Sequence, residues 1–229
     1  MSAPATGGDL PALAAHFGTD KWGSHWYAQH YERHFAALRG KPLRVLEIGI
    51  GGYDDPLKGG ESLRMWKAYF PNARICGIDI VDKSAHDEER IRTFTGSQDD
   101  EAFLERVSRE AGPFDIVIDD GSHVNSHVIQ SFRVLFPLLS ADGIYVVEDT
   151  QTAYWANYGG APPHYPTTTS MSFFKRLVDG LNHREVPRGA DFNPGYLDRH
   201  IVALHFYHNM VFVQKGLNDE PSTLLDRAG

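Results

Sequence analysis

Five short apolar runs, at residues 44–50, 73–81, 91–95, 114–119 and 143–148, each end at or beside a glycine or a carboxylate. Between them lie segments of helical periodicity at 61–70, 99–111 and 126–139. This rhythm constrains the fold more than any other feature. Runs that are apolar at nearly every position predict strands buried on both faces, hence a parallel sheet covered by helices on either side. Right-handed crossovers then give a doubly wound, Rossmann-like α/β fold, which binds ligands at the carboxyl ends of its strands. Two further strands, 201–206 and 210–215, are joined tightly around Tyr207-His208-Asn209 and read as a terminal hairpin.

The flanks are of another kind. Residues 1–9 read as a loose tail, and about thirty residues of helical character follow, broken near Gly18 and Gly23. Tyr27, Tyr31, His34 and Phe35 recur at helical spacing, which predicts packing onto a core. We divide the chain into an N-terminal tail and helical extension, 1–40, and one α/β domain, 41–229. The rhythm stops after Asp149. Residues 150–170 carry Gly159-Gly160, Pro162-Pro163 and the aromatics Tyr154, Trp155, Tyr158 and Tyr165. A long aromatic loop in a compact domain predicts a lid over a substrate.

Composition removes several function classes. The chain has 229 residues, 22 Lys plus Arg against 30 Asp plus Glu, and a net charge of −8. Such a balance argues against nucleic acid and anionic membrane as partners. A lone cysteine, Cys76, excludes an internal disulfide and fits a reducing compartment, so the expected setting is the cytoplasm. The first residues lack a basic stretch followed by an apolar core, and no apolar run approaches 18 residues, so neither a signal peptide nor a spanning helix is expected.

The strand ends carry the chemistry. Glu47-Ile48-Gly49-Ile50-Gly51-Gly52 closes the first run, where glycines let backbone pass close to a ligand and Glu47 can hold a cationic group. A dinucleotide fingerprint would need glycine at position 54, which is Asp54. Asp79, at the end of the second run, can accept both hydroxyls of an adenosine ribose. Ser97 and Gln98 follow the third run and can bond an adenine, or else cap the next helix. The fourth run leads into Asp119-Asp120-Gly121-Ser122-His123 and the fifth into Glu148-Asp149. These acids are expected to converge at one edge of the sheet. Crowded carboxylates are unfavourable without a cation among them. Oxygen ligands alone suit Mg²⁺ or another hard divalent ion. His123, three residues past Asp120, is placed as a general base.

Taken together, these residues resemble the metal-dependent class I S-adenosylmethionine O-methyltransferases that act on sugars. That group includes macrolide-sugar and rhamnosyl enzymes and the 1-O-methyltransferase of methylmannose polysaccharide assembly. The stretches Gly18-Thr19-Asp20-Lys21-Trp22 and His205-Phe206-Tyr207-His208-Asn209-Met210 are similar as well, so the resemblance runs from about residue 16 to 216. It implies a sheet ordered 3-2-1-4-5-7-6 with the last strand antiparallel. It implies Asp120, Glu148 and Asp149 as metal ligands and His123 as base. The implied cofactor-binding set is Glu47, Gly49, Gly51, Asp79, Ser97, Gln98 and Asp119. A mannoside or related saccharide would be the acceptor, in polysaccharide or glycosylated natural-product biosynthesis, and a homodimer is compatible with the aromatic N-terminal region. Tyr53 stands where many methyltransferases have a further glycine. Alternatives on the same fold are an NAD-dependent oxidoreductase, a non-catalytic cofactor-binding subunit, and an iron hydroxylase using His123 and His127.

Overall fold

The structure is a computed structural model that describes residues 8–163, 168–187 and 190–222. Tyr165 of the expected lid and residues 1–7 of the tail lie outside the described residues. Seven strands form one sheet in the order β3-β2-β1-β4-β5-β7-β6. They are β1 (Arg44–Ile48), β2 (Arg74–Asp79), β3 (Ile91–Thr95), β4 (Ile116–Asp119), β5 (Ile144–Val147), β6 (Ile201–Tyr207) and β7 (Met210–Lys215). The first five pair in parallel, and β7 runs antiparallel to both β5 and β6. Order and direction agree with the expectation.

The helices are α1 (Leu10–Phe17), α2 (Ala28–Phe35), α3 (Glu61–Tyr69), α4 (Glu101–Ala111), α5 (Asn125–Leu138), α6 (Ser170–Gly180) and α7 (Tyr196–His200). The last has no periodic pattern to announce it: five residues make little more than one turn. Gly18 ends α1 in the left-handed conformation, φ 74°, as a glycine after a helix commonly does.

Alternation along the strands splits the core in two. On one face Val45, Ile75, Ile116, Ile118, Val146 and Phe212 pack with Leu10, Leu13, Tyr31, Phe35, Trp66 and Phe70. The N-terminal helices thus share a core with the sheet and α3. On the other face Leu46, Ile48, Ile78, Val117, Tyr145 and Val213 pack with Phe103, Phe132, Phe136 and Phe174 from α4, α5 and α6. Burying one large apolar side chain is worth roughly 1.5–3 kcal/mol, so either layer is a major source of stability.

The loop after β5 is pinned rather than free at its ends. Asn125 donates to the carbonyls of Thr152 (3.2 Å) and Tyr158 (2.8 Å), and its Oδ1 accepts from the Ser170 backbone N–H (2.6 Å). Short 3₁₀ turns at Thr150–Tyr154 and Ala156–Tyr158 fill part of it. The loop after β1 is held by Lys83, which is buried and donates to the carbonyls of Tyr53 (3.0 Å), Asp55 (2.7 Å) and Lys58 (3.1 Å). Among the described residues no helix is long and apolar enough to cross a membrane.

Candidate active site

The glycine turn after β1 is shaped by close approach. Gly49 has φ 87°, and a Cβ there would run into the backbone of Asp120, so neither a side chain nor an ordinary φ fits. Gly51 is also left-handed, φ 78°. Asp79 braces the turn from β2. One of its oxygens accepts from the Ile50 N–H (3.0 Å) and the other from the Val81 N–H (2.9 Å). Gln98 lies beyond, its amide donating to Asp119 (3.1 Å) and its Oε1 accepting from the Ser122 N–H (2.6 Å). The Ser97 hydroxyl donates to the Asp99 carboxylate.

The four acids of β4 and β5 do not converge as expected. Asp119 and Asp120 are consecutive on an extended strand, so their side chains leave on opposite faces. Asp119 is buried against α5 and β5, accepting from Ser131 Oγ (2.6 Å), Gln98 and Tyr145 OH (3.3 Å). Burial raises its pKa, and three neutral donors surround it. It does not reach the other acids.

Asp120, Glu148 and Asp149 do gather, and in two layers. At the floor the Lys21 ammonium lies 2.8 Å from Asp120 Oδ2, 2.8 Å from Glu148 Oε1 and 3.3 Å from Glu47 Oε1. Side-chain exposure is 0% for Lys21, 1% for Glu47 and 2% for Glu148, against 21% for Asp120. Tyr31 OH also donates to Glu148 Oε1, and Ser62 Oγ donates to Glu47 Oε2 (2.7 Å). Glu47 therefore meets a cationic group, but that group is a lysine of the same chain. Burial works against the Lys21 charge, yet Asp120, Glu148 and Glu47 override it and hold the ammonium well above the ordinary lysine value. Burial and the neighbouring Asp120 push Glu148 well up.

At the rim Asp149 is flanked by two imidazoles and a phenol. His123 Nε2 is 3.5 Å from Oδ2, His25 Nδ1 is 3.9 Å from Oδ1, and Tyr27 OH donates to Oδ1 at 2.6 Å. Burial alone would raise Asp149, but the Tyr27 hydrogen bond and His123 outweigh it and hold the carboxyl below the usual range. Asp149 and His123 both sit in the left-handed region, φ 52° and 57°. Non-glycine residues held there cost about 1–3 kcal/mol each and cluster at functional sites. One ligand atom each of Asp120, His123 and Asp149 comes within 4.8 Å of the others, and Glu148 is not in that set. His127 faces elsewhere, toward Ser122 Oγ (3.0 Å) and Asp99 (3.4 Å).

Lys21, Tyr27, Tyr31 and His25 were not singled out as site residues. Lys21 lies in the stretch already noted, but a single lysine in a loop carries no periodic signal. The two tyrosines belong to the stripe assigned to packing, and they do pack; their hydroxyls reach further.

No protein-family profile matches the chain. Among characterised proteins it is 53% identical over 214 residues to the mycinamicin VI 2''-O-methyltransferase of Micromonospora griseorubida, covering 93% of the chain and 54% of that protein. It is 50% identical over 221 residues to the 8-demethyl-8-alpha-L-rhamnosyl tetracenomycin-C 2'-O-methyltransferase of Streptomyces olivaceus, covering 95% of the chain and 58% of that protein. The chain thus spans about half the length of the curated relatives it matches. The solved structure of the MycE methyltransferase from the mycinamycin pathway, in complex with Mg, SAH and mycinamycin VI, superposes with a TM-score of 0.90 at 52% identity. It aligns over 95% of this chain and 56% of that one. The chain is homologous, over about half their length, to the sugar O-methyltransferases of macrolide and tetracenomycin pathways, and it shares their fold.

Proposed function

We propose that the chain transfers a methyl group from S-adenosylmethionine to a sugar hydroxyl, with a hard divalent cation such as Mg²⁺ at the rim. One observation carries this: Asp120, His123 and Asp149 converge at the ends of β4 and β5, directly beside the glycine turn that ends β1 and is braced by Asp79. The donors fit a hard cation. Asp149 is held ionised, and no hydrogen bond reaches Asp120 Oδ1 or Glu148 Oε2 among the described residues. When bound, such a cation supplies Lewis-acid polarisation of the acceptor.

The chain's own residues supply the rest. Asp79, Gly49 and Gly51 shape the cleft for the ribose and methionine parts of the donor, with Ser97 and Gln98 on the adenine side. Asp119 supports that side through Gln98. Asp120 and Asp149 would hold the cation, with Glu148 behind them. His123 takes the proton from the acceptor hydroxyl at Nε2, the nitrogen beside Asp149, which stabilises the imidazolium that forms. Holding the hydroxyl near the methyl carbon contributes much of the remaining rate.

The named relatives favour a sugar of a glycosylated natural product as acceptor. A mannoside or polysaccharide is the competing class. The loop 150–163, with Tyr154 and Trp155 exposed, is suited to stacking on a sugar ring. A homodimer belongs to the same reading and is checked by sedimentation. The test of the whole is a labelled-methyl screen over glycosylated natural products, mannosides and oligosaccharides, with Mg²⁺ and with excess chelator. Transfer that persists in chelator would exclude the metal, and label moved to none of these acceptors would exclude the reaction.

The closeness of His123 to both carboxylates supports a second reading, in which His123 is a ligand and not a base. His123→Ala separates them. A base loses turnover with Mn²⁺ affinity intact, whereas a ligand loses both.

A further inference from the structure

Lys21 brings a permanent positive charge to the floor from outside the sheet. It reaches the site from the loop between α1 and α2, and its carbonyl accepts from the N–H groups of Tyr27 (3.2 Å) and Ala28 (3.0 Å), where α2 begins. Its backbone thus anchors a helix while its side chain enters the domain. The ammonium meets carboxylates from three adjacent strands at their carboxyl ends, Glu47 near the end of β1, Asp120 just after β4 and Glu148 just after β5. Each contact selects one oxygen. Both Lys21 and Tyr31 use Oε1 of Glu148, and Lys21 uses Oδ2 of Asp120, which leaves Oε2 and Oδ1 without a hydrogen bond among the described residues.

We propose that Lys21 is a positioning residue of the cation site, a resident ammonium that fixes Asp120 against Glu47 and Glu148 so that Asp120 Oδ1 is presented to the divalent ion. The inference rests on the divalent site proposed above and deepens it. A buried cation among three acids has two opposite effects on a neighbouring metal. As a point charge it repels the ion, and removing it would tighten binding. As a tether it fixes the ligands, and removing it would loosen binding, because partners that orient metal ligands are worth about 10–100-fold in affinity. The geometry points to the tether: the contacts are short, come from three strands and are shielded from water.

The sign of one measurement decides between them. Mn²⁺ affinity is titrated calorimetrically on the full chain, wild type against Lys21→Met, which keeps the volume and removes the charge. The expected result is a Kd at least about tenfold weaker in the variant. An equal or tighter Kd overturns the inference while leaving the metal reading intact. Wild type that binds no Mn²⁺ overturns both. Lys21→Ala gives an independent readout, since propylamine supplies the three carbons and the ammonium that this variant lacks. Added propylamine should restore Mn²⁺ binding saturably and tert-butylamine should not. If Lys21→Met does not fold, Lys21→Arg keeps a cation but displaces it, and an unchanged Mn²⁺ affinity in that variant counts against the tether.

Discussion

The floor and the rim of this site are built from the same residue types and solve opposite problems. At the floor Glu47 and Glu148 are almost wholly buried and compensated by the permanent charge of Lys21. At the rim Asp149 is partly exposed and compensated by Tyr27, His123 and His25, none of which carries a permanent charge. A carboxylate sealed from water with a fixed counter-ion is suited to holding geometry. One with hydrogen-bonding partners, no fixed counter-ion and an open side is suited to binding a cation that comes and goes. Glu148 and Asp149 are neighbours in sequence, yet burial and Asp120 push one pKa up while Tyr27 and His123 hold the other down.

This contrast breaks most visibly at the rim's imidazole. His123→Ala should lower turnover about 10²–10⁴-fold, the usual cost of removing a general base, while S-adenosylhomocysteine binds as in wild type. His127→Ala, which bonds Ser122 and Asp99, should lose far less. Steady-state rates and calorimetry on both variants check this, and a His123→Ala enzyme near wild-type rate would move the base elsewhere.

The floor should fail in stability instead. Glu148→Gln leaves Lys21 short of one buried partner, and breaking a buried pair costs on the order of 3–5 kcal/mol. Its thermal midpoint should fall by many degrees, whereas Asp149→Asn should lose metal-dependent turnover with a much smaller drop. Thermal unfolding of the two side by side compares the layers directly, and equal midpoints would erase the distinction.

Asp79 sharpens the comparison from outside the metal layers. Asp79→Ala should weaken S-adenosylhomocysteine binding by about 1.5–3 kcal/mol, the scale of hydrogen bonds to a charged group. Mn²⁺ affinity should stay within about threefold, since the Asp79 carboxylate bonds the glycine turn and its own strand end. A matching loss of Mn²⁺ binding would show that the donor and metal regions form one unit.

The smallest expected effect lies away from both layers. His34 stacks on Phe212 and bonds Tyr207 OH (3.0 Å), and burial, with His205 and Arg33, lowers its pKa to about 4. The unfolded chain, with its histidine near 6.5, then binds more protons than the native state between those values. The stability His34 contributes is present above pH 6.5 and is lost as pH falls toward 4. Thermal midpoints measured across that window should decline in wild type and decline less in His34→Gln; parallel curves would assign the slope to other groups.

How much of this was legible in the sequence depends on how far each signal reaches along the chain. The strand runs, the helices between them and the terminal hairpin are local patterns. They predict a doubly wound sheet with a terminal hairpin, while the order of its strands and the antiparallel last strand came from the resemblance to the sugar O-methyltransferases. The acids at the strand ends could be anticipated too, because a parallel sheet delivers all its carboxyl ends to one side. Which face each acid takes could not be counted by type. Asp119 and Asp120 differ only by one step of the strand, and that step sends one to Ser131 and Tyr145 and the other to Lys21. Lys21 itself is 99 residues from Asp120 and 127 from Glu148, and no spacing rule links a loop lysine to partners so distant. Only the packing of α1 and α2 against the sheet brings it there. A buried charge must find its opposite wherever the fold puts it, so the tertiary structure alone decided which acids are held by the protein's own cation and which are left to receive another.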